Sequence, residues 1–116
     1  MTTKNYGELT ISQIDKELGK IYRTFKAENG GKKTSTKGKY GFKTIQFVLR
    51  NSENKETGPF FGRGSLLSEF RKTYKKGTGT GTAFVIQEIF KPKAKGKVPT
   101  IDSEHVLILG GKKIKA

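Results

Sequence analysis

The residue types that carry most enzyme chemistry are sparse in this chain of 116 residues. It contains one histidine, His105, no cysteine and ten Asp and Glu side chains. A transition-metal site needs several His or Cys ligands, and a thiol nucleophile needs a cysteine. This composition supplies neither. Asp102 and Glu104 flank the start of a predicted strand, and Glu53 and Glu56 lie in a predicted turn, so neither pair is placed for acid–base catalysis. We therefore predict that the protein is not an enzyme and uses no metal and no cofactor.

Basic side chains dominate the sequence instead. There are 24 Lys and Arg against 10 Asp and Glu, which gives a formal net charge of +14. An excess of one sign repels itself in a compact fold, and binding of a polyanion relieves that repulsion. All but four of these basic residues are lysines, which bind phosphates as point charges but lack the planar fork with which arginine reads guanine. The composition favours contact with a nucleic-acid backbone without base reading.

Two glycine- and lysine-rich segments concentrate this charge. Residues 30–39 (GGKKTSTKGK) and 91–97 (KPKAKGK) each hold four lysines and no acid, and both are predicted to be loops. A third connector, GTGTGT at 77–82, lacks the Lys-Ser/Thr ending of a phosphate-binding loop. The candidate phosphate contacts are Lys32, Lys33, Lys37 and Lys39 in the first loop and Lys91, Lys93, Lys95 and Lys97 in the second.

Aromatic residues are interleaved with the basic ones. Tyr40 and Phe42 stand beside Lys43, and Phe60 stands near Arg63. Proteins that bind single strands follow the backbone with positive charge and stack bases on aromatic side chains. The aromatic residues are therefore candidate stacking platforms, although a domain of this size also needs aromatic residues for its core.

The stretch KGKYGFKTIQFV (37–48) resembles the basic-aromatic ribonucleoprotein motif of RNA-recognition and cold-shock domains, in which such a run opens a strand of the sheet. Thr44 and Gln46 depart from that pattern. We interpret the resemblance as a shared physical solution rather than as membership of a family.

The hydrophobic periodicity predicts one α+β domain over residues 1–116, with a small, mainly antiparallel sheet of about three to five strands and two helices. For the architecture of this sheet, two possibilities are an OB-like sheet and a ribonucleoprotein-like sheet. The predicted elements are a helix from Ile11 to Phe25 capped by Thr10 or Ser12, a strand at Tyr40–Arg50, a helix at 65–76 capped by Ser65, strands at Ala83–Phe90 and Glu104–Leu109, and a short strand near Phe60.

Sequence-nonspecific binding of single-stranded DNA or RNA is the predicted function. A structural component of a phage, viral or ribonucleoprotein particle and an adaptor for an acidic protein are the alternatives. The partner is then nucleic acid, with a homo-oligomer or a larger assembly also considered. No apolar run approaches the ~18 residues that span a bilayer, and the first six residues do not resemble a signal peptide. We expect a cytoplasmic protein, or one inside a virion, with no membrane partner.

Overall fold

A computed structural model describes residues 2–32, 34, 40–74 and 79–110. Its elements form one α+β unit with two helices, as predicted, and a single five-stranded sheet in the order β1-β5-β4-β2-β3. The elements are β1 (Thr2–Leu9), α1 (Ile11–Glu28), β2 (Gly41–Arg50), β3 (Glu56–Phe60), α2 (Arg63–Thr73), β4 (Ala83–Pro92) and β5 (Thr100–Leu109). Within the described ranges, neither helix is long and apolar enough to cross a membrane.

The sheet is mainly antiparallel, as predicted, but it is mixed because the strand pair at one edge is parallel. β1 pairs with β5 in parallel, whereas the other three strand pairs are antiparallel. The sequence did not indicate β1 because Thr3, Lys4 and Asn5 are polar and exposed, and Tyr6 and Leu9 are the described side chains of this strand that pack against the core. This strand order does not establish either the OB-like or the ribonucleoprotein-like alternative.

Helix α1 begins and packs as its sequence predicts. Thr10 accepts a hydrogen bond from the Gln13 amide, and the Gln13 side chain accepts one from the Thr10 amide, so the capping box is formed by this pair. Gly19 lies on the buried side, where a Cβ atom would collide with the guanidinium of Arg63 at the start of α2. Gly19 thus leaves room for the Arg63 side chain where the two helices approach.

Helix α2 starts two residues earlier than predicted. Its N-cap is Gly62 and not Ser65, and no side chain caps it. The apolar residues Leu66, Leu67 and Phe70 are buried, as the stripe in the sequence predicts. The helix ends at Thr73, and Tyr74 after it has an extended backbone, so the predicted helix is wrong at that position. Residues 75 and 76, the rest of the predicted extension, lie outside the described residues.

Both helices pack on the same face of the sheet. β2 presents Ile45, Phe47 and Leu49 to them, as predicted from its alternation, and β4 presents Phe84 and Ile86. The helices contribute Ile14, Leu18, Ile21, Phe25, Leu66, Leu67 and Phe70 to this core. β4 is the central strand of the sheet, as expected for a strand that is apolar on both faces.

The opposite face of the sheet is buried at its centre without any helix on it among the described residues. Val48, Val85 and Val106 lie side by side on β2, β4 and β5, and their exposed fractions are 4%, 0% and 7%. Small aliphatic residues leave room for longer side chains to fold over them. We call this surface the sealed face.

A chain of hydrogen bonds covers the sealed face. Arg50 on β2 donates to Glu104 on β5 at 3.0 Å, and it therefore crosses β4. Gln87 donates to the same carboxylate at 2.7 Å, and Gln46 donates to Gln87 at 2.9 Å. Arg50 also pairs with Glu56 through its Nε, at 2.9 Å. These five residues form the polar network, and no buried polar side-chain atom of the described residues lacks a partner.

Candidate nucleic-acid interface

The strand directions bring the start of β2 and the predicted basic loop after β4 to one end of the sheet. β1, β5 and β2 run in the same direction, so β5 and β2 start at the end where β4 finishes. The Lys93 amide donates to the Tyr40 carbonyl at 2.9 Å, and Phe42 lies directly opposite Lys91 in the register. The loop after β4 is thus joined to the residues that open β2. We call Tyr40–Lys43 together with Lys91–Lys97 the basic end.

Gly41 makes this junction sterically feasible. Its φ is 143°, in a region that side chains rarely adopt, and a Cβ atom would collide with the Lys91 carbonyl. The backbone of β2 therefore approaches β4 so closely at this position that a residue with a Cβ atom would not fit. The position at which Tyr40 is presented depends on this contact.

The lysines of the basic end point mostly into solvent. Lys93, Lys95 and Lys97 are exposed and Lys91 is half-buried. Within the described part of the chain, no carboxylate lies within ion-pair distance of these four, whereas Lys43 is 3.6 Å from Asp102. This surface therefore carries a local excess of positive charge.

Apolar side chains are exposed among these lysines. Tyr40 is 73% exposed, Val98 71% and Ile101 36%. Phe42 is half-buried and faces the side of the sheet away from the helices. An exposed aromatic ring beside lysines has the composition of a stacking platform for single-stranded nucleic acid.

The other predicted basic loop reaches the same end through its described residues. The hydroxyl groups of Thr34 and Thr44 lie 3.2 Å apart, which places this segment against β2. Lys32 precedes Thr34 by two positions and is exposed. Lys33, Lys37 and Lys39, the remaining candidates in this loop, lie outside the described residues.

Two predicted site residues are placed away from the basic end. Phe60 on β3 pairs with Phe47 on β2, and its side chain packs against the core. Arg63 opens α2, and its Nε lies 3.3 Å from the Asp15 carboxylate on α1. Both side chains thus have partners within the fold, and a binding role for either stays a prediction.

A second polar cluster, which the sequence did not indicate as a site, lies between α1 and the sheet. The His105 ring nitrogens contact the Glu88 carboxylate through Nε2 at 3.1 Å and the Tyr6 hydroxyl through Nδ1 at 3.1 Å. Burial, and then the charge of Glu17, raise the pKa of Tyr6. Both ring nitrogens of His105 thus have hydrogen-bond partners within the fold. Its partner Tyr6 is 99 positions away in the sequence, so no local pattern could reveal the pair.

Comparisons of the chain with protein-family models, with curated proteins and with solved structures each found no match. Among the described residues, no cluster of His, Asp and Glu side chains has an arrangement suited to a metal ion.

Proposed function

We propose that the protein binds single-stranded nucleic acid through the basic end, with lysines on the phosphates and Tyr40 stacked against a base. One observation carries the proposal: the hydrogen bond from Lys93 to Tyr40 joins the acid-free lysine loop to an exposed aromatic residue. The two binding elements of a single-strand site, cationic charge and an aromatic face, thus share one surface.

The local charge supports binding without sequence preference. Lysine ammonium groups are flexible point charges, and the basic end contains no arginine. A phosphate backbone offers such groups the same contact at every nucleotide, so affinity depends on the number of phosphates neutralised. Stacking on Tyr40 also tolerates every base, because each base has a π-face.

A duplex fits this surface less well than a single strand. The bases of a duplex are stacked on one another and do not offer a free face to Tyr40, so only the phosphate contacts remain. We therefore expect tighter binding to single-stranded than to double-stranded DNA at equal salt, with RNA single strands bound in the same way.

The test is a salt series of binding to a fluorescein-labelled oligothymidylate, measured by anisotropy. The expected result is a linear decrease of log K with log salt. A basic-end variant, in which Lys91, Lys93, Lys95 and Lys97 are all replaced by Gln, should reduce the magnitude of the slope by about 3 if each lysine neutralises one single-strand phosphate. No binding of the wild-type protein at low salt, or an unchanged slope in the variant, would refute the proposal.

A further inference from the structure

A cleft of about 360 Å³ opens between α1 and the helix-facing side of the sheet, apart from the basic end. Its sheet side carries Lys4, Tyr6, Glu88 and His105, and α1 contributes Ile21 and Phe25. This volume is within the range of small-ligand sites in proteins. An apolar surface beside several polar groups is also the usual composition of such a site.

The hydrogen bonds of His105 at the cleft engage the Tyr6 hydroxyl and the Glu88 carboxylate. When the imidazole is neutral, Glu88 as a carboxylate requires a proton on Nε2 of His105, and Nδ1 then accepts from the Tyr6 hydroxyl. The Tyr6 proton is therefore engaged by His105. What Tyr6 and Glu88 retain for a ligand are oxygen lone pairs, so this side of the cleft is rich in acceptors.

The charges around the cleft also favour a ligand that donates hydrogen bonds. Glu17, Glu28 and Glu88 all line it, although the whole chain has only ten acids. Lys4 and Lys20 are the cations of the lining, and Lys20 is 3.8 Å from Glu17. In a chain of net charge +14 the cleft is thus a locally acidic site with a lysine on each side.

We propose that the cleft binds a nucleobase that carries an exocyclic amino group, as guanine, adenine and cytosine do. The amino group donates to the carboxylate or hydroxyl oxygens, the ring packs against the apolar wall, and the phosphate of the same nucleotide meets Lys4 or Lys20. Uracil and thymine lack the amino group and present carbonyl oxygens instead, so they are disfavoured.

The cleft is placed for a nucleotide that belongs to a strand held by the basic end, and this part of the inference rests on the proposed function. On β4, Glu88 lies three positions before Lys91 of the basic end. Glu28 is the last residue of α1 and lies four positions before Lys32. The basic end would then hold the backbone without base preference, while the cleft adds a preference at one position.

The experiment titrates the intact protein with GMP, AMP, CMP and UMP, observed by proton NMR. His105 is the only histidine, so its ring resonances report on the cleft without assignment of other residues. We expect the three amino-bearing nucleotides to shift these resonances and to bind at least about fivefold more tightly than UMP. Equal affinities for all four nucleotides, or His105 resonances that do not move, would overturn the inference.

Replacing Glu88 by Gln adds a direct test of the acceptor. The amide supplies a donor where the carboxylate had only acceptors, so E88Q should lose the preference over UMP. E53Q, on the exposed turn between β2 and β3, is the matched control and should retain it. If E88Q unfolds at low temperature, E28Q at the exposed end of α1 replaces it, and a full preference in E28Q then counts against the inference.

The basic-end variant separates this inference from the proposed function. It should bind oligothymidylate more weakly and with a smaller salt dependence, while its preference among mononucleotides remains. If oligothymidylate binds as proposed but the mononucleotides bind equally, only the inference about the cleft is refuted. A preference among mononucleotides without oligothymidylate binding refutes the basic end alone.

Discussion

The sealed face spans β2, β4 and β5, whereas the basic end lies at the start of β2 and the end of β4, and the two regions use charge in opposite ways. On the sealed face Arg50 is held by Glu104 and Glu56, and these charges serve the fold. Burial alone would lower the pKa of Arg50, but the hydrogen bonds to Glu56 and Glu104 outweigh it and raise that pKa. At the basic end the lysines of 91–97 meet no carboxylate within the described residues and remain available to a partner.

The difference shows why net charge alone does not locate a binding surface. Arg50 is a basic residue on an open sheet face, which would look like a nucleic-acid contact in a sequence pattern. Its neighbours convert it into a cover for Val85 and Val48 instead. The proposal places binding at the basic end because no described carboxylate pairs with the lysines of 91–97, and because Tyr40 is exposed among them.

The largest expected effect is on the sealed face. Arg50→Ala leaves the Glu104 carboxylate, whose side chain is 9% exposed, without its cation and uncovers the valines below. We expect a loss of about 2–3 kcal/mol in the free energy of unfolding, measured by urea denaturation. Arg71→Ala on the exposed end of α2 should change it by less than about 0.5 kcal/mol. Equal losses in the two variants would show that the polar network does not stabilise the fold.

The next effect is at the junction that forms the basic end. Gly41→Ala places a methyl group against the Lys91 carbonyl at a positive φ, so we expect a loss of about 1–3 kcal/mol of stability and weaker oligonucleotide binding. Gly64→Ala on α2, where a Cβ meets no other atom, should instead be neutral or slightly stabilising. A stable Gly41→Ala protein with full binding would contradict the described junction.

A smaller effect distinguishes the aromatic residues of the two environments. Tyr40→Ala should weaken oligothymidylate binding by about 1–3 kcal/mol, because it removes an exposed ring on which a base can stack. Phe60→Ala should lower the unfolding midpoint, since its ring packs against the core. The idea of a stacking role fails if Tyr40→Ala binds as the wild type does.

The smallest effect concerns Tyr6 at high pH. Its folded pKa lies above the ordinary value of 10.0, so the unfolded chain loses this proton first and stability falls as pH rises above about 10. The difference in stability between wild type and Tyr6→Phe should therefore decrease over that range. The absorbance titration of phenolate, taken as wild type minus variant, should have its midpoint above 10.0. A midpoint at or below that value would place Tyr6 in a more exposed setting than the fold gives it.

Local patterns predict much of this fold. The spacing of apolar residues in α1, the capping pair Thr10 and Gln13, and the alternation of Ile45 with Phe47 all indicate the observed elements, since each depends on neighbours in sequence. β1 could not be predicted in this way. Its position is set by backbone pairing with β5, about a hundred residues later, and its side chains carry little apolar signal.

The candidate site also combines features that local sequence predicts with features that depend on distant contacts. The lysine loops are visible in composition, but their convergence depends on the strand directions, which a single sequence does not give. Phe60 and Arg63 have the same residue types as a stacking pair, yet the core and Asp15 provide their contacts. The cleft with Tyr6 and His105 is formed only when the two ends of the chain pair.

The most direct test compares two variants of equal charge. One is the basic-end variant, and the other replaces Lys16, Lys55, Arg71 and Lys72, which lie towards the opposite end of the sheet, by Gln. Each removes four positive charges, and both are titrated with oligothymidylate over a series of salt concentrations. We expect the slope of log K against log salt to fall in magnitude by about 3 in the basic-end variant and by less than about 1 in the other. Equal losses in both variants would mean that the net charge, and not the basic end, binds the nucleic acid.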